Sequence, residues 1–150
     1  MSAEAAAHDL LPPTLTIAAV TVGDRLDDLV VDLTPTVIVS TAIASRDYQD
    51  VHHDRDLAQA KGSPDIFMNI LSTNGFVGRF VTDWAGPNAR LRRVDIRLGA
   101  PNYPYDTMTL AGEVTRVEAD GTVEVAVVGA NGIGKHVTGT VELVLPTEPT

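Results

Sequence analysis

Apolar positions along the chain follow two different periods, and the change of period divides it in two. Downstream of Pro87, Leu91, Val94, Ile96 and Leu98 alternate with charged residues, and 107–117, 122–128 and 136–145 are three further β-rich runs. Period-two alternation of this kind marks half-buried strands. Asp120-Gly121 and Asn131-Gly132 separate the last three runs, so an antiparallel meander is predicted. Upstream, Ile66, Ile70, Val77, Val81 and Trp84 recur at helical spacing, with Phe67, Leu71 and Phe80 widening the stripe. Ser63-Pro64 suits a cap and first turn, and Ala85-Gly86-Pro87 stops the pattern, which predicts one long helix from Pro64 to Gly86. Gly75 and Gly78 lie inside it, each costing about 1 kcal/mol relative to Ala. A close approach of the backbone to another element or to a ligand is the expected compensation.

The first third of the chain is less regular. Residues 1–13 form an Ala-rich, Pro-terminated flexible lead-in, and 147–150 a short tail, leaving 14–146 as a single domain. The run 14–22 is β-rich, Gly23-Asp24 signals a turn, and 25–33 follows, together predicting an edge hairpin or extension. TPTVIVSTAIAS is apolar and β-branched, which predicts a buried strand from Pro35 to about Ser45. RDYQDVHHDRD is a polar loop leading into a short helix capped by Asp54. The order of elements predicts an α+β domain with an antiparallel sheet curled around one central helix, and its apolar edges and glycines point to a two-subunit assembly.

Composition narrows what such a domain can do. At 150 residues the chain has the size of one domain, and its 44% hydrophobic content supports a proper core. The absence of cysteine removes disulfides, thiolate metal sites and thiol nucleophiles. A net charge of −9 opposes nucleic-acid binding, because phosphate contacts supply most of that affinity. No apolar run is long enough to cross a bilayer, and the N-terminus lacks the layout of a secretory signal, so a cytoplasmic protein is expected.

Candidate chemistry concentrates in the polar loop. Asp47 and His52, five positions apart, offer a carboxylate and an imidazole that together can add water to an activated double bond. The alternative is a solvated loop that caps the next helix. His52, His53, Asp54 and Asp56 include metal-ligand types, but their spacing fits neither a helical His pair nor a calcium loop. One of the two histidines is expected to face inward and the other solvent. Gly129 to Lys135 matches a phosphate loop until His136 replaces the required Ser or Thr. A hairpin turn is the better account, with Lys135 still free to touch a phosphate. Arg90, Arg92, Arg93 and Arg97 lie on one strand, either pairing with acids such as Asp95 and Glu113 or meeting an anionic ligand.

From Pro35 to Leu145 the chain resembles the MaoC-like (R)-specific enoyl-CoA hydratases, a hotdog-fold family. The likeness is carried by SRDYQDVHHDRD, DIFMNIL and VTDWAG, and it is strongest to the small MaoC-like subunits of actinobacterial steroid (cholesterol) side-chain degradation. The family pattern Gly-Asp-x-Asn-Pro-aliphatic-His is kept at Asp47, Val51 and His52, while Arg46, Gln49 and Asp50 depart from it. The resemblance implies that Asp47 and His52 orient and deprotonate water and protonate the α-carbon. It also implies an oxyanion hole at the central helix, where Met68-Asn69 replaces a common His-Gly, making the Asn69 backbone N–H the candidate donor. Gly75 joins Arg90, Arg92 and Lys135 as candidate contacts for a steroid-CoA thioester with a shortened side chain. That thioester is the substrate, and no cofactor is implied. The partners implied are a second MaoC-like subunit with a fused zinc-ribbon and OB-type acyl-CoA-binding domain, in a heterotetramer-like assembly, and a lipid-transfer-type thiolase-like aldolase. Two other functions fit the same fold: a non-catalytic hotdog subunit that stabilises its partner, and a hotdog acyl-CoA thioesterase.

Overall fold

The computed structural model describes residues 12–148, so nearly all of the 1–13 lead-in and the end of the tail lie outside it. Five antiparallel strands form one sheet in the order β1-β3-β4-β5-β2. They are β1 (Arg25–Leu33), β2 (Arg90–Leu98), β3 (Asp106–Val117), β4 (Thr122–Asn131) and β5 (Gly134–Val144). Three helices accompany them: α1 (Pro35–Ala44), α2 (Arg55–Ala60) and the long α3 (Ile70–Ala85). The sheet wraps α3, which is the hotdog arrangement expected from the pattern.

Alternation along the strands decides which face meets the helix. Met108, Leu110 and Val114 of β3, Val123, Val125 and Val127 of β4, and Val137, Val141 and Leu143 of β5 are all buried. They pack in one cluster with Val77, Phe80 and Val81 of α3, each such side chain contributing about 1.5–3 kcal/mol by leaving water. The opposite face carries polar pairs, among them Arg116 with Glu118, Glu124 and Glu142. The close approach expected at the helix glycines occurs instead at Gly112 of β3, where a Cβ would stand 2.9 Å from the Phe80 ring. Gly78 would meet only Leu91 at ordinary contact distance, and Gly75 faces open space.

Three sequence expectations are corrected. The segment predicted as a strand from Pro35 is α1: Thr34 caps it by accepting from Val37 N–H at 3.1 Å, and Pro35 fits the first turn. The cap signal overrides β-branched propensity, and the buried positions, Ile38 and Ala42, are four apart. The long helix begins at Ile70 rather than Pro64, because the preceding residues bond outward. Phe67 N–H donates to Val51 O and Met68 N–H to Asn102 O, and Asn69 is the cap. Residues 14–22 form no strand; a single 3-10 turn spans Ile17–Ala19, and Leu15 N–H bonds to Ala85 O at the end of α3. The segment 25–33 is the edge strand β1, paired with β3. Asp54 caps α2 through Leu57 N–H as expected.

Candidate active site

Asp47 is delivered by the way α1 ends. Ser45 closes the helix and Arg46 takes a left-handed conformation with φ 57°. Arg46 N–H then donates to Ile43 O, and Asp47 N–H to Ala42 O, each at 3.0 Å. This is the Schellman pair of hydrogen bonds, whose left-handed residue is usually glycine. Arg46 holds that conformation at a cost of about 1 kcal/mol, which keeps the loop geometry although glycine is replaced.

His52 is placed by a 3-10 turn spanning Asp50–His52 and is 6% exposed, whereas His53 faces solvent. Its ring stands edge-on to Phe67, with centroids 5.0 Å apart. Its Nδ1 lies 2.7 Å from Phe67 O, and since a carbonyl only accepts, Nδ1 carries the proton. Nε2 therefore presents its lone pair in the neutral ring, 3.4 Å from Asp47 Oδ2. Two acceptors facing each other have no hydrogen to share. A molecule that donates to both, such as water, bridges them from one side.

The third element is the start of α3. Asn69 is 2% exposed, and its Nδ2 donates to Asp47 Oδ2 at 3.0 Å, which is the leading reason the Asp47 carboxyl titrates below its ordinary value. Burial opposes that shift, and the Gln49 N–H and the neighbouring His52 add to it. The Asn69 N–H has no acceptor among the described residues and lies at the positive end of the helix dipole. Beside it a groove of about 340 Å³ runs between α1 and α3, walled by Ala44, Ser45, Leu71, Ser72, Gly75 and Phe76. A hollow of about 400 Å³ near Arg25 and Glu113 is larger but contains no histidine.

Among curated proteins, the 3-oxo-4,17-pregnadiene-20-carboxyl-CoA hydratase beta subunit of Mycobacterium tuberculosis is 59% identical over 122 residues, covering 81% of this chain and 94% of the relative. The chain belongs to this family of MaoC-like hydratase subunits. A chain of the ChsH1–ChsH2 complex from Mycobacterium tuberculosis superposes with a TM-score of 0.81 at 58% identity, over 83% of this chain and 98% of that one. The unliganded R-hydratase PhaJ1 from Pseudomonas aeruginosa shares the fold, with a TM-score of 0.82 at 20% identity, over 93% of this chain and 91% of that one. No protein-family model matches the chain.

Of the residues singled out from sequence, Asp47, His52 and Asn69 converge, and Gly75 lines an adjoining groove with Ser45 and Ser72, the two serines that bond Asn69. Arg90 and Arg92 do not join them. They flank Leu91, which packs on Gly78, nine residues along α3 from Asn69 and so about 13 Å down the helix axis. Arg92 sits at a bulge between Leu91 and Arg93, Arg93 pairs with Asp95, and Glu113 pairs with Arg25. Lys135 is exposed in the β4–β5 hairpin, next to buried His136. The loop acids go to separate partners, Asp50 to Lys61 and Asp54 to the α2 cap.

Sequence reasoning missed Phe67, whose carbonyl sets the His52 tautomer, and Ser45 and Ser72, which hold Asn69. It also missed His136, whose ring bonds Ala100 O and Thr73 Oγ1. Only the spacing of Asn69 and Ser72, a cap residue three before its N–H donor, carried a readable signal.

Proposed function

We propose that this chain is the catalytic subunit of an enoyl-CoA hydratase that adds water to the α,β-unsaturated thioester of a steroid-CoA with a shortened side chain. The observation that carries the proposal is the facing pair of acceptors, Asp47 Oδ2 and His52 Nε2, at 3.4 Å. A water donating to both is held with a lone pair directed outward. Its oxygen bonds to the β-carbon while one of its protons passes to the pair. The C=C electrons move through the α-carbon to the thioester oxygen, where the free Asn69 N–H at the helix N-terminus stabilises the enolate charge. Return of those electrons picks up a proton at the α-carbon from the pair, restoring the thioester and leaving a β-hydroxy product.

The apolar groove beside Gly75, which Ser45 and Ser72 also line, is the proposed seat of the acyl group. Ile70 and Leu71 are each 51% exposed at the start of α3, which supports a second subunit covering this side. The proposed partner is a MaoC-like chain with a fused acyl-CoA-binding domain, with a thiolase-like aldolase acting on the product. Arg90, Arg92 and Lys135 are this chain's proposed contacts with CoA phosphates. No helix among the described residues is long and apolar enough to cross a membrane, and a cytoplasmic location goes with a CoA substrate.

The test is loss of enoyl-CoA absorbance by the chain together with its second subunit. Asp47→Ala and His52→Ala are each expected to reduce kcat/KM on the order of a hundredfold or more. Wild-type rates in either variant, full activity of the second subunit alone, or release of free CoA would refute the assignment.

A further inference from the structure

The Asn69 side chain has a second attachment that its backbone role does not require. Its Nδ2 donates to Ser45 Oγ as well as to Asp47 Oδ2, both at 3.0 Å, and its Oδ1 accepts from Ser72 N–H at 2.9 Å and from Ser72 Oγ. The direction of every bond is determined. Ser45 Oγ–H donates to Thr41 O at 2.8 Å, so towards Asn69 it can only accept. A flipped amide would turn Oδ1 against the Asp47 carboxylate and Nδ2 against the Ser72 N–H. Both amide protons and both lone pairs of Oδ1 are therefore used, inside a site where Asn69 is 2% exposed.

We infer that the Asn69 carboxamide is a positioning residue that clamps the Asp47 carboxylate, holding Oδ2 opposite His52 Nε2. This rests on the hydratase proposal for its kinetic consequences, while the clamp itself is a property of the fold. The carboxamide joins two independently built elements, the terminator of α1 that carries Asp47 and the first turn of α3 that carries the free N–H. With no carboxamide, Asp47 would keep its contacts with Gln49, among them the longer bond from Gln49 N–H to Oδ1 at 3.3 Å, and Oδ2 would lose the Asn69 donor that holds it against the imidazole. The lowered titration of Asp47, caused first by the Asn69 amide, agrees with the clamp. A donor to the ionised form favours it, so removing the donor raises the carboxyl pKa.

Asn69 also caps α3, and the experiment must separate the two roles. Asn69→Ser retains a cap acceptor but has no amide to offer Asp47. Asn69→Asp retains the cap oxygen and places a second carboxylate where Nδ2 stood. Two readouts are taken on the full chain with its second subunit: the Asp47 titration by carbon NMR with labelled aspartate, and the pH profile of kcat/KM. The clamp predicts an Asp47 titration displaced upward in Asn69→Ser and further in Asn69→Asp. It also predicts kcat lowered on the order of tenfold, with KM within about threefold, and an acidic limb that moves with the NMR titration. An unmoved Asp47 titration in both variants, with only a lower Tm, would overturn the inference and leave Asn69 as a cap. An Asp47 that moves as predicted in the variants, while the wild-type complex hydrates no enoyl-CoA, would uphold the clamp and refute the hydratase proposal.

Discussion

His136 makes the stability of this domain depend on pH in a calculable way. Its ring is 2% exposed, with Nδ1 2.7 Å from Ala100 O and Nε2 2.8 Å from Thr73 Oγ1. A carbonyl takes the Nδ1 proton, so in the neutral ring Nε2 accepts from the Thr73 hydroxyl. Burial pushes its pKa down from 6.5, against the opposing effect of the Ala100 bond. The unfolded chain therefore takes up a proton near pH 6.5 that the folded chain takes up only at lower pH. Stability is complete above that value and is lost as pH falls below it. If the folded ring takes up no proton at all, the loss is RT ln(1 + 10^(6.5 − pH)), at most about 2 kcal/mol at pH 5. For a domain of this size that corresponds to roughly 4–8 °C in Tm. Both groups on the ring nitrogens are uncharged, and the carboxyls held low, such as Asp47 and Asp120, lose their contribution only as pH falls through 3.8 and below. Thermal unfolding followed between pH 7.5 and 5 should therefore show a flatter curve for His136→Gln than for wild type, whatever the variant's starting Tm. Parallel curves, or a His136 ring seen by NMR to titrate at or above 6.5 in the folded protein, would refute the reasoning.

Two further outcomes are expected. Arg46→Gly should raise stability by about 0.5–1 kcal/mol or leave it unchanged, and Arg46→Val should lower it by about 1–2 kcal/mol, in urea unfolding, because only the former suits φ 57° at the end of α1. Alanine at Arg90, Arg92 and Lys135 should each raise KM for the CoA thioester about 1.5- to 5-fold, in a salt-dependent manner and with kcat little changed, as for exposed charge contacts; a KM that ignores both the variants and the salt would show that the CoA tail lies elsewhere.

The strands after Pro87 were legible because a sheet covered on one side leaves a strict alternation that no other element produces. The site was legible in its reactive groups and much less in its supports. Asp47 and His52 stand out as a carboxylate and an imidazole in a polar loop, but the carbonyl of Phe67 and the hydroxyls of Ser45 and Ser72 act through backbone and small side chains that carry no signal of their own. Misreading 35–45 as strand had a definite cause. Val37, Ile38, Val39 and Ile43 favour β structure locally, and the capping bond of Thr34 with Pro35 at the first position outweighed them.

Sequence alone determined the fold class, the two tight turns that join the last three strands, and the two residue types that can handle a proton. Periodicity and turn chemistry are local, and a carboxylate and an imidazole close together in a polar loop bring proton chemistry with their residue types. Tertiary structure decided where α3 begins, which ring nitrogen of His52 is free, and which of the candidate cations stand away from the pair. Those depend on partners brought from distant positions, Val51, Asn102 and Phe67 among them, whose hydrogen bonds exist only once the sheet has closed around the helix.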